Sequence, residues 1–251
     1  ALRSGRRGRR FKSSHPDHLP LLAYGTTVNV QPYFPEPIAV SDNIGADRYD
    51  VRHRFIRAVV AGYLGSLVIP AALPIVLSEP VPLSISGATV VAALLILSLI
   101  RKLAPHGRAD LLAIALCALP LLGGLGALTH ALTALGWPVW MLGLAIGFAG
   151  LYTFLCGRDF SFLGQYVLAL GATLPVAIPL AWWLGIPPAR VAWTSLAAAA
   201  FLFFWVYDLA ALLTRRRKGE EVQAVADLYR DCLNILSYSF RVIDHWRKFR
   251  I

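Results

Sequence analysis

Two aspartates inside long apolar segments are the residues with the clearest chemical potential. Asp208 follows the apolar or small residues 196–207, and Asp231 lies in the apolar segment that comes next. A charge at membrane depth is costly and is a functional candidate by default. Two helices joined by a short connection run antiparallel, so Asp208 and Asp231 can approach at similar depth. Two close carboxyl groups in a low dielectric share a proton that pH or a cation can displace. The pair would then act as a proton- or calcium-sensitive latch.

Neighbouring charges could change the chemistry of this pair. Asp227 precedes Asp231 by four residues, so both lie on one helical face, and Arg230 stands beside them. The alternative interpretation is that each aspartate forms an ion pair with a nearby arginine, such as Arg230 or Arg215. Charge spacing leaves both interpretations open.

Residues for enzymatic chemistry lack a recognisable arrangement, and we expect no enzyme activity. Ser161, His106 and His130 show no nucleophile–base spacing, and neither HExxH nor GxSxG occurs. The three cysteines have no CxxC spacing, which argues against a disulfide framework or a cysteine metal site. An intramembrane enzyme is therefore the weakest interpretation.

The composition predicts a membrane protein. Hydrophobic residues make up 57% of the 251 residues and charged residues 15%, against about 45–50% and about 25% in soluble domains. That apolar excess must face lipid. The net charge of +10 comes from cations that flank apolar segments, which indicates membrane topology and lipid contact rather than a nucleic-acid partner.

The elements that position the two aspartates are apolar segments of membrane-spanning length. A helix needs about 20 residues to cross a bilayer. The predicted segments are 55–77, 82–100, 110–132, 137–156, 160–184, 190–213 and 223–245. The fold class is therefore all-α, a polytopic bundle of about seven transmembrane helices. We expect a multi-pass protein of a bacterial inner membrane or an organelle membrane.

The cations of the connections predict an orientation. Even-numbered connections carry Arg101, Lys102, Arg108, Arg158 and the run 215–218, whereas odd-numbered connections carry only Arg190. The positive-inside rule then places the N-terminal region in the cytoplasm. The basic tail, with Arg247 and Lys248, would then lie outside, in conflict with this rule. Either the last helix does not fully cross, or the tail meets lipid headgroups or a partner there.

Residues 1–52 form a separate region, a basic N-terminal arm rich in Pro, Gly, Arg and Asp, and 53–251 form the transmembrane domain. The arm lacks a sustained helical period and should be mostly irregular and extended. Its apolar residues have no second layer within the arm to pack against. We expect it to dock on other membrane protein subunits through Leu19, Leu21, Leu22, Tyr24, Tyr33 and Phe34.

Three motifs resemble the Bax-inhibitor family of transmembrane proteins. They are Arg158-Asp-Phe-Ser-Phe-Leu163, Phe204-Trp-Val-Tyr-Asp208 and the stretch 227–236, DLYRDCLNIL. The resemblance covers about residues 52–245 and is most specific in the last third. It implies a seven-helix fold with the last helix central and a calcium-leak or pH-sensing activity. It also implies that Asp208 and Asp231 are the paired latch aspartates, that Arg101 is a candidate cationic partner, and that Ca²⁺ is the ion of the leak activity.

Departures from the family pattern keep a second function open. Arg230 replaces an apolar residue beside the presumed latch, and the second predicted helix, 82–100, contains no carboxylate. A calcium site uses about six to eight oxygen ligands, and this bundle offers few. Two functions remain: a pH-sensitive cation leak channel or sensor, and a non-conducting accessory subunit docked through its arm.

Overall fold

A computed structural model describes residues 40–103, 108–157 and 160–230. All of them belong to one of the chain's two units, Glu36–Ile251. Within these ranges the regular structure is helical, without strands. The docking residues predicted in the arm, between Leu19 and Phe34, lie outside the described residues.

Eight α-helices and one short 3-10 helix follow one another along the described chain. The 3-10 helix is Ile44–Ala46, and the α-helices are α1 Tyr49–Ser66, α2 Val68–Val76, α3 Leu83–Leu103, α4 Arg108–Ala134, α5 Trp140–Leu155, α6 Phe162–Trp183, α7 Pro188–Arg215 and α8 Glu221–Arg230.

Helices α1 and α2 together form one membrane-crossing unit with a break at Leu67. Pro70 lacks the N–H that would bond to the carbonyl of Ser66, and its ring crowds that carbonyl. The Ser66 hydroxyl instead donates to Tyr63 O at 2.7 Å, and helical bonding resumes from Ala71 N to Leu67 O. The proline therefore accounts for the break.

Five of these units are long and apolar enough to cross a membrane: Tyr49–Val76, Leu83–Ile100, Asp110–Ala134, Phe162–Trp183 and Pro188–Arg215. The chain is thus a multi-pass helical membrane protein, as its composition predicts. Each of the five overlaps a predicted segment closely.

The predicted count is seven crossings, and the two predicted segments without a counterpart among these five, 137–156 and 223–245, stay predictions. Helix α5, which corresponds to the segment 137–156, has 16 residues. Its length of about 24 Å is less than the thickness of about 30 Å of a hydrocarbon core. The seventh predicted segment, 223–245, begins within α8 and is described only to Arg230.

The core lies where α1, α5, α7 and α8 meet. Its fully buried side chains include Val59, Val60, Ala149, Leu202 and Leu209. Around this core α3 packs on α4, α4 on α2, and α6 between α5 and α7. Large apolar side chains on the outside, such as Ile75 and Trp182, are more than four-fifths exposed, as lipid-facing side chains would be.

Close packing of α4 depends on its glycines. A Cβ at Gly126 would lie 2.8 Å from Leu73 Cβ, and one at Gly124 would lie 3.0 Å from a methyl of Val90. Small residues allow such helix approach in lipid. Gly143 and Gly147, from a similar cluster in α5, have no such neighbour. Close helix approach therefore requires glycine at Gly124 and Gly126 of α4 and not at Gly143 and Gly147.

Candidate functional site

The polar groups of the described chain concentrate at one end of the bundle, which we call the arm-side end. Residues 40–48, the α5–α6 connection and the α7–α8 connection meet there. Tyr49 begins α1 and donates from its hydroxyl to Gly157 O at 2.8 Å. Val40 N donates to Thr214 O at 3.0 Å, near the end of α7.

Asp208 lies inside the bundle, about two turns before the end of α7. Asp208 is 4% exposed, and Trp205 and Leu212 are buried on the same face of the helix. The sequence predicts a carboxyl at membrane depth in this position. Its proposed partner, Asp231, falls outside the described residues, so the paired-aspartate latch stays a prediction.

Asp227 is the centre of a buried ion-pair cluster with Arg216, Glu220 and Arg230. The Arg216 guanidinium lies 2.6 Å from Asp227 Oδ2, through both Nε and Nη2. Arg230 approaches the other oxygen, Oδ1, at 3.4 Å, and Arg216 also lies 3.7 Å from Glu220. Asp227 is 1% and Arg216 7% exposed. A buried carboxylate is thus held between two guanidinium groups.

Two of the residues predicted near the latch belong to this cluster. Asp227 and Arg230, predicted as possible latch partners, pair with each other. The cation opposite Asp227 is Arg216, and the alternative pairing of Asp208 or Asp231 with Arg215 stays a prediction. Arg101 lies near the end of α3, and its side chain is outside the described residues.

Backbone conformation explains why Arg216, among the four consecutive cations at 215–218, is the one that pairs with Asp227. Arg216 is the C-cap of α7, with φ −124° and ψ 150°. Its extended backbone leaves the helical path, and its side chain is buried against α8. Neither residue type nor spacing in the run 215–218 signals this choice.

The root of the arm, residues 40–46, closes the carboxyl end of α7. Val40 N and Ile44 N donate to Thr214 O and Arg216 O, each at 3.0 Å. These acceptors belong to the carbonyls that a helix end leaves without intrahelical donors. Ile44 is 1% exposed and joins the core. Arg217 donates to Ser41 O and Oγ at 3.1 and 3.2 Å.

Aromatic residues connect this end to the interior. The Tyr63 ring lies 4.7 Å from that of Tyr229 and 5.6 Å from that of Trp205, between centroids. The Tyr229 and Ser66 hydroxyls are 2.6 Å apart. Contacts between tilted aromatic rings therefore join α1 to α7 and α8, and a hydrogen bond also joins α1 to α8 next to the break after Ser66.

The residues considered for enzymatic chemistry are dispersed. Ser161 is the N-cap of α6, where its Oγ accepts from Gly164 N at 3.0 Å. His130 lies in α4, while His106 and Cys232 are outside the described residues. Within the described ranges, no three His, Cys, Asp or Glu side chains are close enough together to hold a metal ion.

Comparison with protein-family models, curated proteins and solved structures finds no match to this chain. The resemblance to the Bax-inhibitor family therefore stays a prediction from the three motifs.

Proposed function

We propose that this multi-pass membrane protein is a non-conducting structural subunit of a larger membrane assembly, docked through its N-terminal arm. The observation that carries the proposal is the buried Arg216–Asp227 ion pair beside the arm root. A buried ion pair adds little net stability compared with apolar packing. Its most useful contribution is to hold one arrangement, and here it holds α7 against α8.

The arm root supports the same function. Residues 40–46 are fixed to α7 by two backbone hydrogen bonds and by the buried Ile44. A root anchored in this way sets where the arm leaves the bundle. The apolar residues at 19–34 would then meet a partner subunit at a defined place, because the arm root to which they are joined has a fixed position on α7.

The experiment that tests this function is deletion of residues 1–35 in the source organism, with an affinity tag on the chain. This boundary keeps Val40, Ser41 and Ile44, so the carboxyl end of α7 stays closed. We expect the truncated chain to keep its helical circular dichroism and to lose the polypeptides that co-purify with the full chain. Undiminished co-purification would contradict arm docking.

Point variants give a matched control for the deletion. Tyr33→Ala with Phe34→Ala removes two adjacent aromatic anchors, whereas Ser13→Ala with Ser14→Ala changes two adjacent polar residues of the same arm. Aromatic anchors at an interface contribute about 2 kcal/mol or more each, so the first pair should reduce recovered partner at least tenfold. The second pair should leave recovery unchanged.

A second candidate function, pH-sensitive cation leak or sensing, is favoured by Asp208. A carboxyl 4% exposed within a spanning helix is a common feature of ion and proton pathways. In this function Asp208 and Asp231 form the latch, and Ca²⁺ is the ion that the family resemblance implies. In proteoliposomes, Asp208→Asn should then abolish most of the pH dependence of cation flux. Equal flux from empty and protein-containing vesicles at every pH would exclude it.

A further inference from the structure

A second feature of the arm-side end is a cavity of about 240 Å³ lined by Tyr49, Arg52, His53, Ile56, Phe160, Phe162 and Leu213. It lies where α1 and α6 begin and α7 ends, at one end of these candidate membrane-spanning helices. It is smaller than the roughly 300–1,000 Å³ of sites for drug-sized ligands. Its size suits a small group rather than a whole organic molecule.

Two nitrogen atoms of the lining residues are buried and make no hydrogen bond. They are Arg52 Nε and His53 Nε2. A buried polar group without a partner loses its hydration without compensation. Both residues line the cavity, and Arg52 brings a permanent positive charge to it.

Aromatic packing fixes the position of the imidazole. The His53 ring stacks on Tyr49 with centroids 5.6 Å apart and meets Phe160 at 5.5 Å. The Tyr49 hydroxyl is itself held, since it donates to Gly157 O at 2.8 Å. The imidazole is therefore held by neighbours on two elements before any ligand enters.

The charges of the site favour an anion. Among the described residues that line the cavity none is a carboxylate, and the nearby Asp50 already faces Arg48 at 3.5 Å. Outside the cavity, Arg54 and Arg57 are exposed. A basic pocket between transmembrane helices at the membrane surface has the chemistry that holds a lipid headgroup.

We infer that this cavity binds a phosphate group, with Arg52 and His53 as donors to its oxygens. A membrane phospholipid is the nearest source, because the cavity lies at the ends of candidate membrane-spanning helices and Leu163, the residue after Phe162, is 74% exposed and available for acyl contact. Free inorganic phosphate has the same chemistry, and the experiment separates the two sources.

The experiment is native mass spectrometry of the purified full chain, released from nanodiscs of phosphatidylcholine with one-fifth phosphatidylglycerol. We expect one phosphatidylglycerol to be retained. Arg52→Gln should reduce its retention about fivefold, the effect of losing one interfacial cation. His53→Phe keeps the aromatic stack, removes the nitrogen donor, and should also reduce retention. The matched control, Lys218→Gln, removes an exposed cation of the α7–α8 connection that does not line the cavity, and should retain lipid as the unaltered chain does.

A parallel titration with inorganic phosphate, followed by ³¹P NMR, distinguishes the sources. Phosphate binding that weakens in Arg52→Gln, without lipid retention, would support the site with free phosphate as its ligand. Circular dichroism identifies any variant that misfolds. If either Arg52→Gln or His53→Phe misfolds, the retention measured for the other one tests the inference. Equal lipid retention in all folded variants, or no binding of either ligand to the unaltered chain, would overturn the inference.

Discussion

Removal of the Arg216 side chain perturbs the Asp227 ion-pair cluster most directly. Arg216→Ala leaves the Asp227 carboxylate 1% exposed and deprives it of the guanidinium at 2.6 Å. Loss of one partner from a buried pair costs about 3–5 kcal/mol. Arg230 stays at 3.4 Å and compensates in part, so we expect about 3 kcal/mol. For a chain of this size that corresponds to a Tm lower by about 6–12 °C.

The assay is thermal and denaturant unfolding in detergent micelles, followed by circular dichroism and by tryptophan fluorescence. Arg48→Ala is the matched control, because Arg48 and Asp50 form a 3.5 Å pair with side chains 89% and 58% exposed. Exposed pairs contribute about 0–1 kcal/mol. If Arg216→Ala loses no more stability than Arg48→Ala, the buried cluster does not hold α7 to α8. Combining Arg216→Met with Asp227→Leu should restore much of the loss.

Three smaller effects test the packing and the helix ends. Gly126→Ala should lower stability by about 1–3 kcal/mol through overpacking, whereas Gly123→Ala, with open space around its Cβ, should not; denaturant unfolding compares them. Tyr229→Phe removes the hydroxyl 2.6 Å from Ser66 and should cost about 1 kcal/mol, less in a Ser66→Ala background, as a double-mutant cycle would measure. Ser161→Ala removes an N-cap and should cost about 1 kcal/mol, with faster amide exchange at the start of α6.

Much of the fold could be predicted because lipid imposes a simple rule. Backbone groups in a bilayer must bond within their own segment, so apolar length alone locates the helices. The segment predicted at 190–213 corresponds to α7, Pro188–Arg215. The break after Ser66 is also readable, since Pro70 and Pro74 both stand in the first predicted segment.

Only those features of the site that depend on a single residue and its sequence neighbours could be predicted. Burial of Asp208 follows from its apolar surroundings in sequence. The choice of Arg216 does not, because it depends on backbone angles at a helix end. The capping of α7 by residues 40–46 does not follow from the sequence either, because it uses backbone amides, which every residue except proline has. The cavity beside His53 joins Tyr49 with Phe160, 111 positions away, a separation over which spacing rules give no information.

The mass of the tagged full chain, purified in mild detergent from the source organism, tests the central claim most directly. Native mass spectrometry should find the 27.4 kDa chain in constant stoichiometry with other integral membrane polypeptides, and the purified assembly should show no cation flux in liposomes. A chain recovered alone that conducts cations, with a pH dependence that Asp208→Asn abolishes, would contradict the structural-subunit function and establish the channel.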